Sequence, residues 1–263
     1  MNSLYLVGGN LVANAELRKR LGGRDPGVEI QMVVEDIFAG WKKDEAEVET
    51  EEKIVKNDDY IQEKFERNQL KITLKVFLHD FNVDNLKKAV NAALEQLKTD
   101  HVDNLFIAVP TDAVHVIGIG SGTGTGLVHT EALSSLQNVW SVVEEMIGAG
   151  RVGGAGLCDL RPSAFISLYN QATVKPTSIQ VNLKSCCVVP EELTEFAKLN
   201  KVTLLTHSDP EELLPEDSLR ILLYPHLQRE AGHFSANWIS RYLVQVKDRG
   251  VLMDKRYLIH LTK

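Results

Sequence analysis

Short apolar runs alternate along the chain with stretches of helical periodicity. The runs are LYLV (4–7), KITLKVFL (71–78), NLFIAV (104–109), RVGGAG (151–156), SIQVNL (178–183), KVTLLT (201–206) and GVLM (250–253). Each has strand length and sits between turn-forming residues. In NVDNLKKAVNAALEQL (82–97), Val83, Leu86, Val90, Ala93 and Leu97 fall on one helical face, and EALSSLQNVWSVVEEMI (131–147) repeats the pattern. Strands separated by crossover helices predict a parallel sheet. A strand-to-strand spacing of roughly 25–40 residues, in a chain near the roughly 250 residues typical of such barrels, predicts an α/β protein of the (β/α)8 barrel class. An open doubly wound sheet is the competing arrangement. Without an interdomain linker signal, residues 1–263 are expected to form a single domain. The charged stretch 42–69 within it is expected to be an irregular, solvated loop with a surface helix.

The alternation within KITLKVFL isolates one residue. Ile72, Leu74, Val76 and Leu78 share one face, which leaves Thr73, Lys75 and Phe77 on the other. In a barrel the second face points inward, so the Lys75 ammonium needs an anion, a carbonyl or water. The same register turns Asn104, Phe106 and Ala108 of the next strand inward. Ala108 offers only a methyl group to a neighbouring lysine.

Bulk composition narrows the function classes. The chain has 263 residues, 44% of them hydrophobic and 25% charged, with a net charge of −7. It lacks the basic footprint expected of a protein that binds nucleic acid or an anionic membrane surface. No apolar run approaches membrane-spanning length and no secretory leader is evident, so a cytoplasmic location is expected. The cysteines Cys158, Cys186 and Cys187 have no zinc spacing and imply reduced thiols.

Two resemblances are carried by specific residues. The run VWSVVEEMIGAGRVGGAGLCDLRPSAFISLYNQATVKPTSIQVNL resembles the aldo-keto reductase barrel. The segments 174–214 and 237–259, with GNL (9–11) and LRK (17–19), resemble the regulatory (modifier) subunits of glutamate-cysteine ligase, a branch of the same superfamily. The resemblance covers most of 70–214 and the C-terminus.

The reductases use an Asp-Tyr-Lys-His tetrad, with tyrosine as general acid to a carbonyl that accepts hydride from NADPH. The resemblance places that lysine at Lys75 and puts Ala108 where the histidine would stand. The residue five before Tyr60 is Val55 rather than an aspartate, so the proton donor has no counterpart. The nicotinamide-binding Ser-Asn pair falls on Cys158 and Asp159, the stacking tyrosine falls near His207, and Gln180 is retained. The chain ends at Lys263, soon after its last strand candidate, so the C-terminal extension of those enzymes is expected to be largely absent.

The resemblance therefore implies a pseudoenzyme with no catalytic residues and no metal. Lys75, Asp159, Gln180 and His207 are vestigial cofactor positions that leave room for weak NADPH binding at most. It implies a heterodimer with the ligase's catalytic subunit, improved use of glutamate and relief of feedback inhibition by glutathione. The rival reading is an NADPH-dependent carbonyl reductase using Lys75 and a donor such as Tyr60.

Other motifs have bland readings beside sharp ones. Cys186 and Cys187, near the start of the helix predicted after Pro190, fit either ordinary packing or a redox-active contact with the partner subunit. The glycine-rich run 117–127 has neither a G-x-G-x-x-G register nor a following Lys-Ser or Lys-Thr, and reads as a surface loop. HSDPEELL (207–214) reads as a helix start, with Asp209 as N-cap, Pro210 first and Glu212 reaching back. His207 reads as a hydrogen-bonded side chain, and Asp159 is the candidate partner for Lys75.

Overall fold

The strand candidates of the central region form strands in the order and close to the bounds that the sequence predicts. The structure, a computed structural model, describes residues 2–21, 23, 25–39, 41, 51–55, 65–118, 127–182 and 188–263. In chain order the elements are β1 (Ser3–Val7), α1 (Ala15–Leu21), α2 (Pro26–Ala39), β2 (Glu51–Val55), β3 (Leu70–Leu78), α3 (Val83–Leu97), β4 (Val102–Ala108), α4 (Thr111–Ile117) and α5 (Leu127–Gly148). They continue as β5 (Val152–Cys158), α6 (Pro162–Gln171), β6 (Ser178–Asn182), α7 (Glu191–Leu199), β7 (Thr203–His207), α8 (Glu216–Leu227), β8 (Ser235–Val246) and β9 (Val251–Thr262). The chain divides into two compact units, Thr73–Asp209 and a second made of Met1–Ile72 with Pro210–Lys263.

The Thr73–Asp209 unit is built on the parallel strands β3-β4-β5-β6-β7, with helices in the crossovers. This is the repeating step of a (β/α)8-type α/β fold. One face of its strands is a continuous apolar layer, with Leu74, Val76, Leu105, Ile107, Ala155, Leu157, Ile179 and Val181 all buried, while the other face carries Lys75, Phe106, Cys158 and Gln180. Helix α3 is placed by its amphipathic pattern, with Leu86, Val90, Ala93 and Leu97 buried. Asn82 caps it by accepting a hydrogen bond from the Asp84 N–H at 2.9 Å.

Close approach of β6 requires a glycine at position 156. A Cβ on Gly156 would stand 2.4 Å from Ser178 Oγ, 2.5 Å from the Ser178 carbonyl oxygen and 2.9 Å from the Phe106 ring. The entry to β6 is fixed by side chains. Lys175 Nζ donates to the carbonyls of Tyr169 and Ala172 at 2.8 and 2.7 Å, satisfying the end of α6. Glu144 accepts from the Thr173 and Val174 N–H groups, and Trp140 Nε1 donates to the Val174 carbonyl.

In the other unit, β1 pairs parallel with β2 and antiparallel with β9, and β9 pairs antiparallel with β8. Two expectations are corrected here. GVLM is the start of a twelve-residue strand, β9, rather than a four-residue one, and its partner β8 was not predicted. Within 42–69, Glu51–Val55 is a strand and Arg67–Gln69 a single 3₁₀ turn, so the described part holds no surface α-helix; 42–50 and 56–64 lie outside the described residues. β2 forms because backbone pairing to β1 does not depend on its charged sequence, EEKIV.

The core of this unit packs α2 on the sheet around the buried Glu29. Glu29 accepts from Tyr257 Oη at 2.7 Å and Lys255 Nζ at 2.8 Å. Burial raises the Tyr257 phenol above its usual range, so it remains a hydrogen-bond donor at all physiological pH. Asn10, 1% exposed, joins the first loop to β9. Its Nδ2 donates to the Met253 carbonyl, and its Oδ1 accepts from the Val12 N–H. Replacing Glu29 with alanine takes away the acceptor of the buried Tyr257 O–H, which keeps only the hydrogen bond it accepts from Arg241, and should cost about 1–3 kcal/mol, read as a lower urea midpoint. A midpoint equal to wild type would remove Glu29 from this account.

Candidate functional site

Strand alternation and register bring the vestigial positions together at the C-terminal ends of β3, β5, β6 and β7. Lys75 lies opposite Phe106 across the β3–β4 ladder, and Ala108 stands two residues further on, opposite Phe77 and Cys158. Cys158 is opposite Gln180, and Asn182 is opposite His207. The methyl of Ala108 thus sits in the row that holds the thiol and the amide, where a larger polar group would otherwise point.

Lys75 is only 3% exposed and is fully engaged. Its Nζ donates to Asp209 Oδ2 at 2.8 Å and to Gln180 Oε1 at 3.0 Å, and it lies 5.1 Å from the centre of the Phe77 ring. The candidate partner Asp159 is therefore corrected to Asp209. Asp159 follows β5 with a φ of 61°, and its carboxylate turns away to accept from the Asn182 N–H at 2.8 Å and to pair with His207 Nε2 at 2.9 Å. The expected helix start at Asp209 is corrected with it, since the next helix begins at Glu216. Asp209 is 2% exposed and bound to an ammonium instead of capping. Its backbone is held too, because its carbonyl accepts from Asn182 Nδ2 at 2.6 Å.

His207 closes the network. Nε2 faces Asp159, while Nδ1 lies 3.3 Å from Asp209 Oδ2 and 3.2 Å from the Asp209 N–H. Burial opposes the charged imidazolium, and the Lys75 charge does so too. The hydrogen bonds to Asp159 and Asp209 outweigh both and raise the His207 pKa above its usual 6.5. The charge count gives the reason. One ammonium and two carboxylates sum to −1, and a protonated His207 brings the cluster to neutrality. Nδ1 then donates to the Asp209 carboxylate, whereas in the neutral ring it accepts from the Asp209 N–H.

A pKa raised in the folded state stabilises fully below about pH 6.5, the unfolded value, and that contribution is lost as pH rises through the folded value. Wild-type urea midpoints should therefore fall, relative to His207→Gln, between about pH 6.5 and the raised pKa. Parallel midpoint profiles for the two proteins would contradict the assignment.

The cluster is poorly suited to proton or hydride chemistry. Burial, partly offset by Lys75, pushes the Cys158 thiol up to about 11, and its Sγ–H donates to Gln180 Oε1 at 3.4 Å. The Gln180 oxygen already serves two donors and Lys75 is ion-paired. Among the described residues no group of three or more His, Cys, Asp and Glu is placed to hold a metal. No helix among the described residues is long and apolar enough to cross a membrane. Tyr60, the rival proton donor, lies outside the described residues, as do Cys186, Cys187 and most of the glycine-rich run (119–126). Sequence reasoning missed Asp209 and Asn182. The HSDP signal was visible, but it was read as a cap.

Residues 42–209 match the model of the aldo/keto reductase family. The chain is 35% identical over 196 residues to a glutamate–cysteine ligase regulatory subunit of Homo sapiens, and as similar to that of Mus musculus, covering 74% of this chain and 67% of each relative. An NAD(P)H-dependent D-xylose reductase of Candida tenuis is 26% identical over 170 residues, covering 61% of this chain and 52% of that one. A solved aldo/keto reductase from Brucella melitensis aligns with 20% identity and a TM-score of 0.41 over 54% of this chain and 47% of that chain.

Proposed function

From the premise that the chain belongs to the aldo/keto reductase family and, within it, to the glutamate–cysteine ligase regulatory subunits, we propose that it is a non-catalytic regulatory subunit of that ligase. In this reading it binds the catalytic subunit, raises its affinity for glutamate and lowers its feedback inhibition by glutathione. The observation that carries the reading is the state of Lys75. Its ammonium, which the reductase resemblance would place in the catalytic tetrad, is tied to Asp209 and Gln180, with the Ala108 methyl nearby in place of an imidazole. Retaining the barrel strands while converting their polar groups into an internal network preserves a folded surface without its chemistry.

The regulatory effect is a linkage. The protein favours a more competent state of the catalytic subunit by binding that state more tightly. A tenfold gain in apparent glutamate affinity needs only about 1.4 kcal/mol of coupling, which a modest interface supplies. NADPH has little to bind here, because the Gln180 amide oxygen is occupied and the Ser-Asn pair is replaced by Cys158 and Asp159.

The test is co-elution. Mixed with the catalytic subunit, the protein should run as a heterodimer on size exclusion. The same preparation should give no NADPH oxidation above blank with a panel of aldehydes. Separate elution of two folded proteins, or aldehyde-dependent NADPH turnover, would overturn the reading.

A further inference from the structure

With Asp209 bound to Lys75 rather than capping a helix, the acidic residues of HSDPEELL are left without the structural task that their sequence suggests. Residues 208–215 form neither helix nor strand, and the next helix begins at Glu216. Within that run Ser208, Glu211 and Glu212 are exposed. The Ser208 hydroxyl makes no hydrogen bond among the described residues, and Glu212 has no partner there either. The segment presents an idle hydroxyl outside regular structure, with carboxylates three and four positions after it.

Charge patterns around the acceptor hydroxyl distinguish the substrates of one kinase from those of another. Carboxylates that follow the serine suit a kinase whose cleft is basic on that side. Asp209 is buried against Lys75, so Glu211 and Glu212 supply the pattern. The same spacing occurs at Ser141, followed by Glu144 and Glu145, and there the fold cancels it. Ser141 lies inside α5 and donates to the Gln137 carbonyl at 3.1 Å. Glu144 accepts from the Thr173 and Val174 N–H groups, and Glu145 lies 3.9 Å from Lys87. A helical backbone is committed to its own hydrogen bonds and cannot be drawn out along a kinase cleft.

We infer that Ser208 is a phosphorylation site for an acid-directed serine kinase. The γ-phosphoryl group of a nucleoside triphosphate moves to Ser208 Oγ. The Oγ–P bond forms as the bond from the γ-phosphorus to the bridging oxygen breaks, the nucleoside diphosphate leaves, and the hydroxyl proton passes to the kinase's base.

The phosphate adds about two negative charges near neutral pH, next in sequence to His207 and Asp209. The charged groups already acting on His207 are Asp159 after β5, Asp209 in its own loop and Lys75 of β3. Further negative charge favours the imidazolium, so His207 keeps its proton to higher pH in the phosphorylated chain.

The experiment incubates four folded proteins with an acid-directed casein kinase and magnesium ATP: wild type, Ser208→Ala, Glu211→Gln combined with Glu212→Gln, and Ser141→Ala. Phosphate is followed by intact mass and placed by peptide mapping. Wild type and Ser141→Ala should take phosphate on the peptide that carries Ser208, and Ser208→Ala should not. The double glutamine variant should react about tenfold more slowly, which corresponds to about 1.4 kcal/mol of lost recognition. The His207 ring signals of the phosphorylated protein should titrate at higher pH than those of the unmodified one.

A folded wild type left unmodified, or phosphate mapped only to other residues, would overturn the assignment. Equal rates for wild type and the double glutamine variant would overturn the acid-directed class of kinase. An unchanged His207 titration in the phosphorylated chain would sever the modification from the buried cluster.

Discussion

Asp209→Ala should be among the most damaging single substitutions in the chain, at about 3–5 kcal/mol. That is the usual cost of leaving one member of a buried ion pair uncompensated. Lys75 keeps only the Gln180 amide oxygen as a hydrogen-bond acceptor, at 3.0 Å, which cannot neutralise an ammonium 3% exposed. His207 loses the carboxylate at Nδ1 in the same step. The loss belongs to the stranded charge more than to the bond itself, so removing the charge should reverse it. Lys75→Met combined with Asp209→Ala is expected to recover most of the lost urea stability, since replacing a buried pair with apolar side chains is often neutral or favourable. If the double variant were as unstable as Asp209→Ala alone, the ion pair would not be the source of the loss.

Gly156→Ala is expected to cost about 3 kcal/mol, the upper end of typical overpacking penalties. The added methyl meets the Ser178 carbonyl oxygen at 2.5 Å, and that backbone belongs to β6, the strand paired with β5 at this residue. Relief requires the two strands to part or the Phe106 ring to move, and both disturb the floor under Lys75. Gly148→Ala is the matched control, since a Cβ there meets nothing within 4 Å and the residue is helical. It should be neutral or stabilising by up to about 1 kcal/mol. Similar urea midpoints for the two variants would show that the β5–β6 approach is looser than these distances indicate.

What the sequence discloses follows the range of the interactions involved. Periodicity is local, so β3–β7, α3 and α5 are readable from runs of eight to twenty residues. The inward register of Lys75 follows from its aliphatic neighbours alone. Its choice of partner does not, because Asp209 lies 134 residues away and the intervening Asp159 is equally acidic. Only the turn after β5, with φ 61° at Asp159, sends that carboxylate toward His207 and leaves the lysine to Asp209.

The β8–β9 hairpin is obscured for another reason. Asn237, Ser240, Arg241 and Gln245 interrupt the apolar pattern of β8. Its turn is nonetheless marked by Asp248 and Gly250, both at positive φ, between two long β-rich runs. β2 carries too much charge to be read as a strand and exists because β1 presents an edge to it.

The most direct test of the regulatory role is the initial rate of γ-glutamylcysteine formation by the isolated catalytic subunit, measured across glutamate concentrations with and without this protein. The proposal predicts a severalfold lower apparent glutamate KM in its presence and a higher glutathione concentration for half-inhibition. Superimposable curves, with both proteins folded and in excess of the amounts needed for association, would contradict it.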